Sequence, residues 1–180
     1  MMFMGLIVVW LTFPGVIVHE LAHALFCKLF GLDIYAVKYF QFATGRGQPA
    51  GYVVHAPSEK TWQNILVSIG PFFVNTILGA IIGAPAAIPV LKFGSGDFLD
   101  YFLIYMGVSI AVHAFPSTGD AATIWHSVTR PGVNVLEKVL GIPLIGLIYL
   151  GSLGSFFWLD LVYGIAVVGL LPNLLISLLA

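Results

Sequence analysis

Val18-His19-Glu20-Leu21-Ala22-His23-Ala24 lies inside a charge-poor apolar run, Met1–Phe30. On a helix, side chains four apart share a face, so the imidazoles of His19 and His23 can reach one ion. Glu20 stands beside the first of them, where a carboxylate can move a proton. Two His and a Glu inside an apolar span are costly to place there, and such groups are functional by default. A pair of histidines hydrogen-bonded across a helix interface would explain His19 and His23 but not Glu20. The segment is therefore read as a membrane-crossing helix that carries a reactive site.

The rest of the chain extends that reading. Of 180 residues, 59% are hydrophobic and 8% charged, against about a quarter charged in soluble domains. A surface so poor in charge does not face water, which favours the membrane class. The net charge of -1 offers no basic field for nucleic acid. The lone Cys27 excludes an intrachain disulfide. Met1–Trp10 resembles a signal peptide, with Ala22-His23-Ala24 as a small-x-small site. No Lys or Arg precedes the apolar run, so the segment is expected to be retained. Met1–Phe30, Ile65–Leu91, Phe98–Phe115 and Val139–Ala180 are the charge-poor stretches. A span needs about 20 residues, so the first three make one each and the last is long enough for two, turning near Asp160, with one tilted span plus an interfacial helix as the alternative. The expected fold is an all-α polytopic membrane protein with about five transmembrane helices. It forms a single membrane domain over 1–180, with a catalytic core at about 1–122 and C-terminal helices at about 134–180.

A short β-hairpin is expected between the first two spans, near the membrane surface. Ile34–Phe42 is aromatic and β-branched, Thr44–Pro49 reads as a turn, and Gly51–His55 as the return strand. Such a hairpin must pack on protein or line a wet cavity, because hydrocarbon offers its backbone no partners. Lys28, Lys38, Arg46 and Lys60 lie in or beside this loop, and Arg130 and Lys138 in the third; only Lys92 lies in the second. The positive-inside rule places the first and third loops, the Arg46 tip included, in the cytoplasm of a multi-pass protein of the cell membrane. The reactive site then lies towards the cytoplasmic side.

A catalytic Zn²⁺ takes three protein ligands and keeps one position open. After His19 and His23, the candidates for the third are Asp120, His113, His126 and His55. Asp120 follows Phe115-Pro116-Ser117-Thr118-Gly119 and leads on its chemistry. His113, about two turns deeper, is next. The competing role for Asp120 is an N-cap on the helix that starts at Ala121. Pro14-Gly15 is expected to kink the first helix. Asn75, Gly79 and Gly83 share one face of the second span, where small residues let helices approach closely. Asn75 could bind helix carbonyls there or donate to a substrate carbonyl.

Three motifs resemble those of the site-2 protease family of intramembrane zinc metalloproteases. Val18–Ala24 looks like its motif helix. Ile69-Gly70-Pro71-Phe72-Phe73-Val74-Asn75 looks like its Gly-Pro-x-x-x-Asn stretch. Phe115–Asp120 resembles its proline-led turn to a metal-binding Asp. They come in the family's order over roughly residues 14 to 122. Two departures stand out: His113, not Asn, lies three residues before Pro116, and Ala121 follows Asp120 where the family has Gly. The resemblance implies a three-helix core, a zinc site of His19, His23 and Asp120, Glu20 as general base, and Asn75 and His113 near the substrate. The implied activity is zinc-dependent cleavage of a membrane-spanning protein segment within the lipid bilayer. Two other readings are a catalytically silent membrane scaffold that keeps the zinc site, and a metal transporter. The intact Glu20 speaks against the first. Clustering of the polar groups at one depth speaks against the second.

Overall fold

A computed structural model describes residues 2–42, 48–171, 174 and 177. Among the described residues the chain forms seven helices and one two-stranded antiparallel hairpin. The helices are α1 (Met2–Leu11), α2 (Phe13–Leu29), α3 (Thr61–Phe93), α4 (Phe98–Val112), α5 (Thr118–Val128), α6 (Val135–Ser155) and α7 (Leu159–Gly169); β1 (Ile34–Lys38) and β2 (Tyr52–His55) lie between α2 and α3. By length and composition, α3 and α6 are long and apolar enough to cross a membrane; α4 and α7 are shorter apolar helices.

α3 is the axis of the bundle. Near its start, Trp62 touches Phe30 at the end of α2, and Arg130, just after α5, donates to the carbonyls of Ser58 and Glu59. Further along, Gly79 and Gly83 meet Gly107 of α4 backbone to backbone. A Cβ on Gly107 would lie 2.6 Å from the Gly83 Cα and 2.7 Å from the Gly79 oxygen. The small-residue face expected from the spacing of Asn75, Gly79 and Gly83 is thus the α3–α4 seam. Gly107→Leu is expected to destabilise the fold by about 3 kcal/mol or more, because helix backbones must separate to admit it. Gly146→Leu, at a glycine with nothing within 4 Å, should be close to neutral. Thermal unfolding midpoints of the two variants in detergent check this pair.

The expected first span is broken, and the third ends at Val112, just short of the expected Phe115. α1 ends and α2 begins around Thr12, not at Pro14-Gly15; Pro14 sits in the first turn of α2, where its missing N–H costs nothing. Ser109 of α4 stitches the break, accepting from the Gly15 N–H at 3.2 Å and donating to the Thr12 carbonyl at 3.0 Å. A Cβ on Gly15 would fall 1.9 Å from the Ser109 oxygen, so only glycine permits this crossing. α4 stops at Val112, and a turn through Pro116 leads into α5. Pro cannot supply the N–H that would continue the helix.

After residue 134 the expected pair of antiparallel spans is instead one path with a break. α6 runs antiparallel to α5, with Gly141 on Val128 and Gly151 near Phe115. α7 does not return along α6. Tyr163 touches Phe72 and Phe115, a Cβ on Gly164 would meet Val112, and Val168 lies against Gly83. α7 therefore continues in the direction of α3. The turn is Phe156–Trp158, not Asp160, with Trp158 left-handed at φ 65°. The helices traverse the bundle four times, as α1/α2, α3, α4/α5 and α6/α7.

The hairpin forms where the sequence predicts it. Ile34 pairs with His55 and Lys38 with Tyr52, with an irregularity between Ile34 and Ala36. It packs on protein and lines a cavity, as its backbone requires. β1 leaves the C-terminal end of α2 and folds back along that helix, with Phe40 against Phe13 and Phe42 against Trp10. The hairpin runs back alongside α2 and lines the cavity next to it. Of the expected turn Thr44–Pro49, residues 44–47, with Arg46, lie outside the described residues. The strands leading to it point towards the end opposite Lys28, Lys60, Arg130 and Lys138. Phe40 is half-buried against Phe13 of α2, while Phe42 meets the Trp10 ring of α1 edge-on and stays largely exposed.

Candidate metal centre

The ligand atoms of His19, His23 and Asp120 lie within 4.8 Å of one another. α2 places the two histidines one turn apart on the face turned to α3 and α5. The His19 and His23 Nε2 atoms are 3.2 Å apart. Asp120 Oδ1 is 3.3 Å from His23 Nε2. His23 is 7% exposed. Zinc bonds of about 2.0–2.1 Å at tetrahedral angles would separate ligand atoms by about 3.3 Å, so the spacing fits the ion.

Hydrogen bonding makes the fit more specific. His19 Nδ1 lies 2.7 Å from the His113 carbonyl. His23 Nδ1 lies 2.9 Å from the Val67 carbonyl. A carbonyl only accepts, so in each neutral ring the proton is on Nδ1 and the Nε2 lone pair is free. With both rings neutral, two Nε2 lone pairs and a carboxylate oxygen converge on one point, a donor set that suits a zinc ion.

Both carbonyls are available for a reason written in the sequence. Pro71 has no N–H for the carbonyl of Val67 four residues earlier, so the α3 ladder releases it to His23. His113 is the C-cap of α4, where terminal carbonyls lack helical partners. Gly70 admits α2 alongside, since a Cβ there would lie 2.4 Å from the Phe26 ring.

Asp120 is not an N-cap. The cap is Ser117, and Asp120 is the third residue of α5 in a capping box. Its Oδ2 accepts from the Ser117 N–H and hydroxyl, each at 2.7 Å. One oxygen is thus pinned by the helix start, and the other faces His23. The cap and ligand alternatives turn out to be compatible, one for each oxygen.

Glu20 is 7% exposed and borders the same cavity, of about 600 Å³, as His19, His23 and Asp120. Gly51, at the start of β2, packs directly on it: a Cβ there would lie 2.6 Å from Glu20 Cγ and 3.0 Å from Oε1. The hairpin therefore forms one wall of the cavity, and His55 lines it too. The His55 Nδ1 approaches the Ala56 carbonyl at 2.9 Å. His126 is exposed on α5, outside the cavity.

His113 lines the cavity, and Asn75 lies behind it. The His113 ring lies against Thr12, with Nε2 2.7 Å from its hydroxyl, and it is the main-chain carbonyl that reaches His19. Asn75 is fully buried. Its Nδ2 lies 3.2 Å from the Gly15 carbonyl and 3.1 Å from those of Ile110 and His113. It joins α2, α3 and α4 at the site and does not line the cavity. Asn75→Ala is expected to weaken zinc binding about 10–100-fold, as loss of a supporting hydrogen bond does. Competition against a fluorescent chelator measures this, and unchanged affinity would remove Asn75 from the support of His19.

Reasoning from sequence missed the Val67 carbonyl, Ser117, Gly51 and the cavity position of Asp160. Pro71 was the available signal for the first, and Ser117-x-x-Asp120 for the second.

Fold and site together define a mostly helical protein with an HExxH helix and a carboxylate brought to it as third ligand, the donor set of a zinc peptidase. The chain belongs to the family DUF3267, described as "Putative zincin peptidase", whose model matches residues 12–131. Zinc is the cofactor that family implies, and a zinc-dependent peptidase is the activity. The match does not single out the site-2 proteases. No curated protein and no solved structure matches the chain.

Proposed function

We propose that this protein is an intramembrane zinc endopeptidase of the site-2 protease type, which cuts a membrane-spanning or membrane-proximal segment of another protein. The observation that carries the reading is the convergence of the His19 and His23 Nε2 atoms and the Asp120 carboxylate beside Glu20. The membrane setting rests on the exterior of the bundle, where Ile77, Ile81, Leu147, Leu150, Val162 and Ile165 are all more than half exposed. A continuous apolar exterior of this kind needs lipid.

In this mechanism His19, His23 and Asp120 hold the metal. Bound zinc would supply a Lewis acid that acidifies water and polarises the scissile carbonyl. The Val67 and His113 carbonyls fix both rings, so no reorganisation is needed as charge develops. Glu20 takes the proton of the attacking water and delivers it to the leaving amine. The hairpin wall beside Glu20 can hold an unwound substrate strand by edge pairing. The deciding experiment incubates the purified, zinc-loaded chain with a panel of single-span segments in detergent. Chelator-sensitive cleavage within the apolar stretch supports the proposal, and cleavage of soluble peptides alone would sink the intramembrane part.

Orientation follows from charge. Lys28, Lys60, Arg130 and Lys138 gather where α2 ends and α3 begins, and Lys92 lies at the far end of α3. The first group should be cytoplasmic, with the metal centre about two turns inward from it. In a Cys27→Ser background, Ser95→Cys should react with an impermeant maleimide in intact cells. Glu59→Cys should react only after permeabilisation. The reverse pattern would invert the topology.

A further inference from the structure

We infer that Asp160, with Ser152 and Ser155, forms a subsite for a cationic side chain of the substrate, a Lys or Arg near the cleaved bond. The inference rests on the peptidase reading above and adds the substrate class.

The chain has eight acidic residues. Five mark the ends of elements: Asp33 after α2, Glu59 before α3, Asp97 and Asp100 in the capping box of α4, and Glu137 in the first turn of α6. The other three, Glu20, Asp120 and Asp160, line one cavity. The mechanism uses two of them and leaves Asp160 without a task.

Asp160 stands where the path through the bundle is broken. α6 ends at Ser155, Trp158 turns the chain, and α7 starts at Leu159. One turn beyond Asp160, Tyr163 packs on Phe72 and Phe115 and its hydroxyl lies 2.8 Å from Thr76. The break is therefore well inside the apolar length of α3, not at its end. Broken helices at that depth occur where the backbone lines a cavity. The Asp160 Oδ1 accepts from the neighbouring Leu161 N–H at 2.9 Å. Among the described residues no Lys or Arg pairs with it. The last carbonyls of α6, those of Leu153, Gly154 and Ser155, are taken by the N–H groups of Phe156, Phe157 and Trp158, so the side chains supply the acceptors at the break. An acid in the first turn of α7 favours the helix dipole, but that role does not require it to border the cavity of the metal centre.

A carboxylate and two serines on the cavity wall together favour an ammonium or guanidinium group. A substrate span that carries a basic residue is penalised in lipid and relieved of that penalty on entering this cavity. Such spans are the segments the cavity would select.

The test is binding, in a Glu20→Gln background so that cleavage does not enter. The probes are labelled Leu/Ala spans of about 20 residues, in lipid nanodiscs, with one central Lys, Gln or Glu. The parent should bind the Lys span at least about tenfold more tightly than the Gln span. Asp160→Asn should abolish that preference, and Asp160→Lys should reverse it in favour of the Glu span, with zinc content unchanged in each. Equal binding of the three spans by the parent, or a preference that survives Asp160→Asn, overturns the subsite and leaves the peptidase standing. No binding of any span overturns both. A charge preference in a chain whose wild type cleaves nothing keeps the subsite and rejects the peptidase. Should Asp160→Asn fail to hold zinc, the comparison of Lys with Glu on the parent decides alone.

Discussion

Glu20→Gln is expected to lower hydrolysis of a membrane segment by at least about 10²–10⁴-fold, the usual cost of losing a general base, while zinc content stays the same. Glu20 is not among the three side chains whose ligand atoms converge. Its carbon stem is clasped between α2 and Gly51. Gln has nearly the same shape, so the hairpin wall and the fold should survive. What Gln cannot do is accept a proton from water, so chemistry is lost and binding is kept. The variant should therefore trap substrate uncleaved. Parallel measurement of cleavage and zinc on the two proteins is sufficient. A wild type that cleaves no segment in a broad panel, with a Glu20→Gln chain that rescues a deletion strain, would make the protein a scaffold.

Asp120→Ala is expected to lose zinc, by more than the about 10–100-fold that follows loss of a supporting hydrogen bond. The capping role complicates a simple reading, because the same residue closes the first turn of α5. Ser117→Ala separates the two. Each variant breaks the reciprocal Ser117–Asp120 pair, so each should cost the zinc-free fold about 1 kcal/mol. Only Asp120→Ala removes the oxygen that faces His23 at 3.3 Å. Similar unfolding midpoints without metal, and a large difference in zinc affinity, would assign Oδ1 to the ion. An Asp120→Ala chain that keeps full zinc while His113→Ala does not would overturn the ligand set.

The sequence by itself determined the elements and the chemistry available to them. His19 and His23 share a helix face because four residues make about one turn. That relation is local and needs no knowledge of the fold. The hairpin was legible for the same reason: β-branched and aromatic runs flank a Gly/Pro turn, and strand pairing at that range is a local event. The Gly79–Gly83 seam followed from helical spacing alone. Asp120 could be ranked by its residue type and motif, but the competition between cap and ligand could not be settled from a linear string.

Only the tertiary structure decided how those elements face one another. Whether the last apolar stretch returns along α6 or continues depends on which surface α7 buries. Its contacts with α3 and α4 through Tyr163, Gly164 and Val168 outweighed a hairpin against α6. The hairpin's position was likewise a packing outcome, set by Phe40 and Phe42 finding Phe13 and Trp10. The two carbonyls that hold the histidines are long-range partners, 44 and 94 residues away in sequence. No spacing rule connects such distant positions, although Pro71 marks one of them as unpaired. Asp160 looked like a turn residue because its charge was visible and its surroundings were not. Packing of α7 against α3 is what brought it to the wall of the same cavity as Glu20 and Asp120.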